Sequence, residues 1–173
     1  TNTRVVRQTT FGSAAVTPPQ VGNSVLFLQR ANRKVREYVY QFESDAYTAP
    51  DLAILSEHIT EGGVVDMAYQ QEPDSIVWLV RSDGVLVGMT YERSQDVVGW
   101  HRHVIGGVDA KIESVAVIPN PTGSRDDLFA VIQRTINGQS VRYIEFLTPG
   151  LPEIALNTIQ ATYLDSMLTY EGD

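Results

Sequence analysis

Asp74-Ser-Ile-Val-Trp-Leu-Val-Arg81, then Ser82-Asp-Gly84, then Val85-Leu-Val-Gly-Met-Thr-Tyr91 is the stretch on which the fold turns. Two runs rich in β-branched and aromatic residues flank a short turn that ends in Asp-Gly. Such a turn signals a hairpin, because a tight reversal needs residues that tolerate positive φ. The pattern occurs twice more. Asn23-Ser-Val-Leu-Phe-Leu-Gln-Arg30 leads through Asn32-Arg-Lys34 into Val35 to Tyr40, and Asp126-Asp-Leu-Phe-Ala-Val-Ile-Gln133 leads through Asn137-Gly138 into Ser140 to Phe146. Aligned without gaps on the first strand, Ser24, Ser75 and Asp127 are 51 and 52 positions apart.

Each hairpin also has a candidate strand before it. Val64 to Gln70 ends in Gln71-Glu-Pro-Asp74, and Ile112 to Ile118 ends in Pro119-Asn-Pro121. The counterpart before the first hairpin is Ala14 to Thr17, ended by Pro18-Pro19. Asp96-Val-Val-Gly-Trp-His-Arg-His-Val104, closed by Gly106-Gly107, supplies a fourth strand to the middle unit. Four antiparallel strands recurring at about 50 residues match a β-propeller blade. A β-sandwich also shows short strands at turn-separated spacing and stays open as the alternative.

The expected fold is thus all-β, with β-propeller-like repeats forming about three blades and an incomplete ring. On this reading 1–173 is one β-repeat region: 1–60 is the first blade with a connector, 61–108 the second, and 109–173 the third with a C-terminal segment. Val25, Phe27, Ile76, Trp78, Val115 and Phe129 are expected to pack between blades. Tyr47 to Thr60 reads as a helix or long connector, with Asp51 as cap and Leu52, Ile54, Leu55 and Ile59 as its apolar positions. A closed ring takes four or more blades, so the chain is expected to be a fragment or to complete its ring with other chains. Its opening on Thr1 rather than Met points the same way.

Composition narrows the function classes. Without cysteine there is no disulfide framework, thiolate metal site or Cys nucleophile. The formal net charge of −8 argues against a basic nucleic-acid-binding surface. The apolar runs are strand-sized and no membrane segment is expected; no apolar core follows Arg4 and Arg7 to make a secretory signal.

Several constellations invite a chemical reading. His101 and His103, two apart on a strand, share a face and could begin a metal site with His58 or Asp109, while Trp100 and Arg102 face the other way. Asp66, Glu72, Asp74, Asp96, Glu113, Asp126 and Asp127 could pair as in glycoside cleavage, but Asp74 and Asp126 recur before equivalent strands, where a turn favours Asp. Gly12-Ser13 and Gly123-Ser124 are turn-like rather than nucleophile elbows, and Gly62-Gly63 and Gly106-Gly107 read as inter-strand turns. Arg30, Arg33, Lys34 and Arg36 cluster on the first hairpin and read as a solvated tip or an electrostatic subunit contact. Trp78, Tyr91 and Trp100 are expected to pack between blades. No catalytic, cofactor-binding or metal-binding residue is assigned, and no cofactor is expected.

Beyond these patterns, the chain resembles a group of tailed-bacteriophage structural proteins of the tail nozzle or stabilisation type. The resemblance rests on Val25-Leu-Phe-Leu-Gln-Arg30, Lys34-Val-Arg-Glu37, Ala49-Pro-Asp-Leu52, Ser56-Glu-His58 and Ala68-Tyr-Gln-Gln-Glu-Pro-Asp74. It continues through Val97-Val-Gly-Trp-His-Arg-His103, Glu113-Ser-Val-Ala-Val117, Arg134-Thr-Ile-Asn-Gly138 and Asp165-Ser-Met-Leu-Thr-Tyr170. It implies a non-enzymatic virion component of the tail or head–tail region, made in the host cytoplasm. Its implied partners are other copies of itself and neighbouring tail or head–tail proteins; if the ring surrounds DNA, the charge of −8 would make an acidic lumen that the duplex passes without sticking. The rival reading is a carbohydrate-binding or glycan-cleaving propeller of a receptor-binding tail component.

Overall fold

The structure, a computed structural model, describes residues 6–148. The C-terminal part of the third unit, including Asp165 to Tyr170, lies outside the described residues. Within them the fold is all-β. Sheet I comprises β1 (Gln20–Val21), β2 (Ser24–Leu28), β3 (Val35–Gln41) and β4 (Ala46–Thr48), paired antiparallel in that order. Sheet II comprises β5 (Val64–Gln70), β6 (Ile76–Arg81), β7 (Leu86–Glu92) and β8 (Val97–His103). Sheet III comprises β9 (Lys111–Pro119), β10 (Asp126–Ile136) and β11 (Gln139–Phe146). No helix among the described residues is long and apolar enough to cross a membrane.

Sheet II lies between the other two and has two apolar faces. Val64, Met67, Val77, Leu79, Val87, Met89 and Tyr91 pack against Leu26, Leu28 and Val35 of sheet I. From the opposite face Trp78, Val80 and Leu86 pack against Ile112, Leu128, Ala130 and Ile132 of sheet III. Strand alternation explains this, since successive side chains of β6 point to opposite sides and both sides are covered. That is why Val77 to Val80 is one unbroken buried run.

The true repeat is anchored where the inner strand joins the hairpin rather than at the strand starts. Ser13 faces Gln29, Val64 faces Arg81 and Ile112 faces Ile132. Aligning Gln29, Arg81 and Ile132 brings Leu26 onto Trp78 and Leu28 onto Val80, and the third hairpin then runs four residues further, to Ile136. It also brings Val77 onto Leu128 and Leu79 onto Ala130. Each sheet then presents one kind of face, here termed leading, to the next sheet and the other, trailing, to the one before. The gap-free alignment from Ser24 to Ser75 is out of step by one residue, and one residue of slip exchanges the faces of a strand. This corrects part of the expected packing. Trp78 and Val115 lie between sheets and Ile76 packs at the edge of the second core. By strand parity Val25 and Phe27 lie on the trailing face of sheet I, and Phe129 on the leading face of sheet III. These two faces have no neighbouring sheet among the described residues.

The inner strands repeat in finer detail. In β5 the register against β6 slips between Val64 and Asp66, and in β9 the register against β10 slips between Ile112 and Ser114. Each slip follows a residue whose N–H crosses to the turn of the preceding sheet: Val64 to the Asn32 carbonyl at 2.7 Å, and Ile112 to the Gly84 carbonyl at 3.0 Å. A bulge sharpens twist locally and lets the strand depart from flat pairing at the joint.

Other expectations change as well. Tyr47 to Thr60 contains no helix. It holds the end of β4, an Arg36–Asp51 bridge and successive turns, and Asp51 caps the Ala53 N–H of a turn. Leu52, Ala53 and Ile59 turn inward whereas Ile54 and Leu55 are exposed, so no helical apolar stripe forms. The inner edge of sheet I is also broken. Ser13 bridges Gln29 and Ala14 donates to Leu28, but pairing resumes only at Gln20, because Pro18 and Pro19 carry no N–H.

Candidate functional site

Of the carboxylates that the sequence brings forward, Asp66 and Asp126 join sheets II and III, and Asp127 and Glu113 hold arginines within sheet III. Asp66 accepts from the N–H of Met67 at 2.9 Å and from Val115 of sheet III at 3.0 Å. Asp126 accepts from the N–H groups of Gln71 and Glu72 at 2.8 and 3.0 Å, and returns its own N–H to the Glu72 carbonyl. Asp127 takes Arg125 and Asn120, which hold its carboxyl below the ordinary value. Arg142 does the same for Glu113. Asp74 lies exposed in the turn before β6, and Asp96 is in the left-handed region with φ 54°. Asp66, Asp126, Asp127 and Glu113 thus act as latches on backbone N–H groups and arginines.

His101 and His103 do share a face, and they meet. His101 Nδ1 and His103 Nε2 are 2.8 Å apart, with both rings against Trp78. Gly88 lies opposite His101 on β7, and the imidazole occupies the space a Cβ would need there. The two rings are thus half-buried in the leading face of sheet II rather than on a solvated outer surface. Trp100, on the other face, donates its indole N–H to the Leu52 carbonyl at 3.1 Å. Neither expected third ligand joins the pair: His58 is exposed in the connector, and Asp109 accepts from Thr135. Among the described residues no group of three His, Asp or Glu is placed to hold a metal ion.

Burial pushes both imidazoles toward the neutral form, and for His103 the nearby His101 adds to it. Below the unfolded value of 6.5 the unfolded chain therefore binds protons that the folded chain refuses. The stability tied to this pair is full above that value and is lost as pH falls through the lower folded values. The urea midpoint is expected to drop between about pH 7.5 and about pH 5.5, above the range where carboxylates titrate. His101→Gln/His103→Gln is expected to flatten that drop, and an unchanged slope would exclude the pair as its source.

The basic cluster is not a free hairpin tip. Lys34 binds Asp51 at 3.0 Å and Glu57 at 3.4 Å. Arg36 lies 3.5 Å over the Phe11 ring and donates to Gln29 and to the Ala49 carbonyl. Arg30 and Arg33 line an open cleft of about 490 Å³ with Asn32, Glu61 and Gly63, where sheet I meets the start of sheet II. The reason is local: the connector folds back over the hairpin and brings acceptors to it.

Two features escaped the sequence. Glu37 is 0% exposed in the core between sheets I and II, with Ser24 Oγ at 2.7 Å and Nη1 of Arg93, in the 3-10 turn between β7 and β8, at 3.0 Å. Tyr91 lies beside them, and burial pushes its phenol up to about 12, with the Glu37 carboxylate adding to the effect. The position of Glu37, two residues after the buried Val35, was the available signal. Arg93→Ala is expected to cost about 1–3 kcal/mol, because it leaves a buried carboxylate one partner short. The value sits in the lower part of the range for ion pairs because the Arg93 side chain is 55% exposed. Adding Glu37→Gln should recover most of the loss in urea denaturation. A double variant as weak as Arg93→Ala would refute the charge penalty.

The second feature is a glycine at each joint. Asn32, at φ 59°, faces Gly63, where an added Cβ would sit 3.4 Å from the Asn32 Cβ. At the other joint Gly84, at φ 87°, faces Lys111. The glycine changes sides, but one backbone of each pair lacks a side chain.

No family model matches the chain, and no curated protein matches it. Among the described residues the sheets make two internal joints, and one face of each kind has no neighbouring sheet.

Proposed function

We propose that the three sheets are successive blades of a β-propeller arc, and that the chain is a non-enzymatic structural component of a tailed-phage particle. The place proposed is the tail or head–tail region, nozzle-like, and the work is assembly with other copies and neighbouring particle proteins. The observation that carries the reading is the constant order of faces, leading onto trailing, at both joints. A propeller needs that order, since every blade must match the one before and the one after. That Asp66 and Asp126 are spent on backbone N–H groups, and Asp127 and Glu113 on arginines, supports assembly over catalysis. The motif resemblance supplies the phage setting, and the charge of −8 suits a wall that DNA passes without adhering.

The test is particle composition. Purified virions of a phage encoding this chain should contain the polypeptide in fixed stoichiometry with the other tail proteins. Finding it only in the soluble lysate would overturn the reading. Glycan binding that disappears on substitution of the exposed Tyr40 and Tyr47 would favour the receptor-binding alternative instead.

A further inference from the structure

We infer that the leading face of sheet III docks onto the trailing face of sheet I of a second copy of this chain, head to tail. The inference deepens the assembly reading above and rests on it only for its biological setting. Its physical basis is the continuation of an interface that the chain already makes twice.

The leading face of sheet III is a candidate because of what it carries. β10 and β11 are paired so that Phe129 lies beside Phe146 and Val131 beside Ile144. Ile144 is 78% exposed and Phe146 53%. In the register of the inner-strand joints Phe129, Val131, Ile144 and Phe146 align with Trp78, Val80, Leu86 and Gly88 of sheet II and with Leu26, Leu28, Val35 and Glu37 of sheet I, all of the latter eight buried. The Asn137–Gly138 turn, with φ values of 52° and 75°, extends this face four residues beyond the place of Asn32 and Gly84. An added Cβ on Gly138 would meet nothing within 4 Å, whereas on Gly84 it would strike Lys111. Ser114 likewise aligns with Asp66, the residue that reaches across to the next sheet.

Sheet I presents the complement. Val25, Phe27, Tyr38 and Tyr40 align with Val77, Leu79, Met89 and Tyr91, which form the buried trailing face of sheet II. These four are apolar or aromatic, Tyr38 stacks on Tyr47 at 4.7 Å, and Arg36 shares the face beside Phe27 with its guanidinium over the Phe11 ring. The backbone donor position is there too. Ser13 pairs with Gln29 as Val64 pairs with Arg81, so Gly12-Ser13 aligns with Gly63-Val64. Gly12 is at φ 68° and Gly63 at φ 86°. A second copy is the occupant that fits, because among the described residues one chain carries one open face of each kind, each the counterpart of a face it already buries at an internal joint. Such a contact is heterologous, and repeats into rings or filaments according to its rotation.

The experiment uses the full chain and light scattering. The wild type should exceed the monomer mass of 19.2 kDa in a concentration-dependent way. Ile144→Glu on one face, or Tyr40→Glu on the other, should weaken association by about tenfold or more, since each buries a charge without a partner. Circular dichroism checks that both variants keep the β fold; Ile144→Ser and Tyr40→Ser serve if either does not. Mixing the two variants is decisive. One intact leading face then meets one intact trailing face, and the mixture should form a heterodimer and stop. A wild type that stays monomeric up to its solubility limit overturns the inference, and so does a variant that self-associates unchanged or a mixture that stays monomeric. A monomer in solution that is nonetheless abundant in virions would sink this joint alone. An associating chain absent from virions would sink the phage assignment alone.

Discussion

Gly84→Ala is expected to destabilise the fold by about 3 kcal/mol, far more than most surface turn substitutions. Two costs combine. A side chain at φ 87° carries the left-handed penalty of roughly 1–2 kcal/mol. The new Cβ would also sit 2.5 Å from the Lys111 Cβ and 2.8 Å from its Cα, so backbone must move, at about 1–3 kcal/mol. That movement pulls on the Ile112 N–H bonded to the Gly84 carbonyl. Gly138→Ala is the control. It has the same kind of φ but open space, so only the first cost applies, about 1–2 kcal/mol. Equal urea midpoints for the two variants would show that sheets II and III do not approach closely at this turn.

Trp78→Ala should cost about 3–5 kcal/mol, the range for removing a large aromatic from a core. Trp78 is buried between sheets II and III and its indole N–H donates to Gln70 at 2.9 Å. Truncation empties the centre of the second core and leaves the buried Gln70 amide without its donor. It also removes the surface on which His101 and His103 rest. Trp78→Phe separates the effects: it keeps most of the apolar volume and loses the hydrogen bond, for about 1 kcal/mol. A loss below about 1 kcal/mol for Trp78→Ala would mean that the second core is not packed as described.

The hairpins were legible because their turns are. Asn137-Gly138 holds both residues at positive φ, and the flanking strands lie within a residue or so of where β-branched and aromatic runs place them. The all-β class followed from the same signals. Which face of each strand is buried did not follow. Leu26 and Phe27 are equally apolar, and only the turn register decides that Leu26 is in the core and Phe27 on the other side. The turn of sheet I is one residue longer than that of sheet II, and a gap-free alignment absorbs that difference as an exchange of faces. Leu52, Ile54, Leu55 and Ile59 suggested a helix by spacing alone, but the Arg36–Asp51 bridge and the Leu52 N–H bonded to Val35 claim that segment for the edge of sheet I. The surface roles of Lys34 and Arg36 were misread for a related reason. Their partners come from a connector whose path no local pattern shows.

Sheet II is the only described sheet with neighbours on both sides, so unfolding free energy is distributed along the stack as in a short one-dimensional array. The outer sheets can open at the cost of a single joint, whereas the amides of β6 are released only with the whole structure. Every such partial opening uncovers an apolar sheet face before the chain is fully unfolded. Aggregation in this protein is therefore governed by detachment of an end sheet, and a substitution that strengthens either joint should slow precipitation even where the global unfolding equilibrium barely moves.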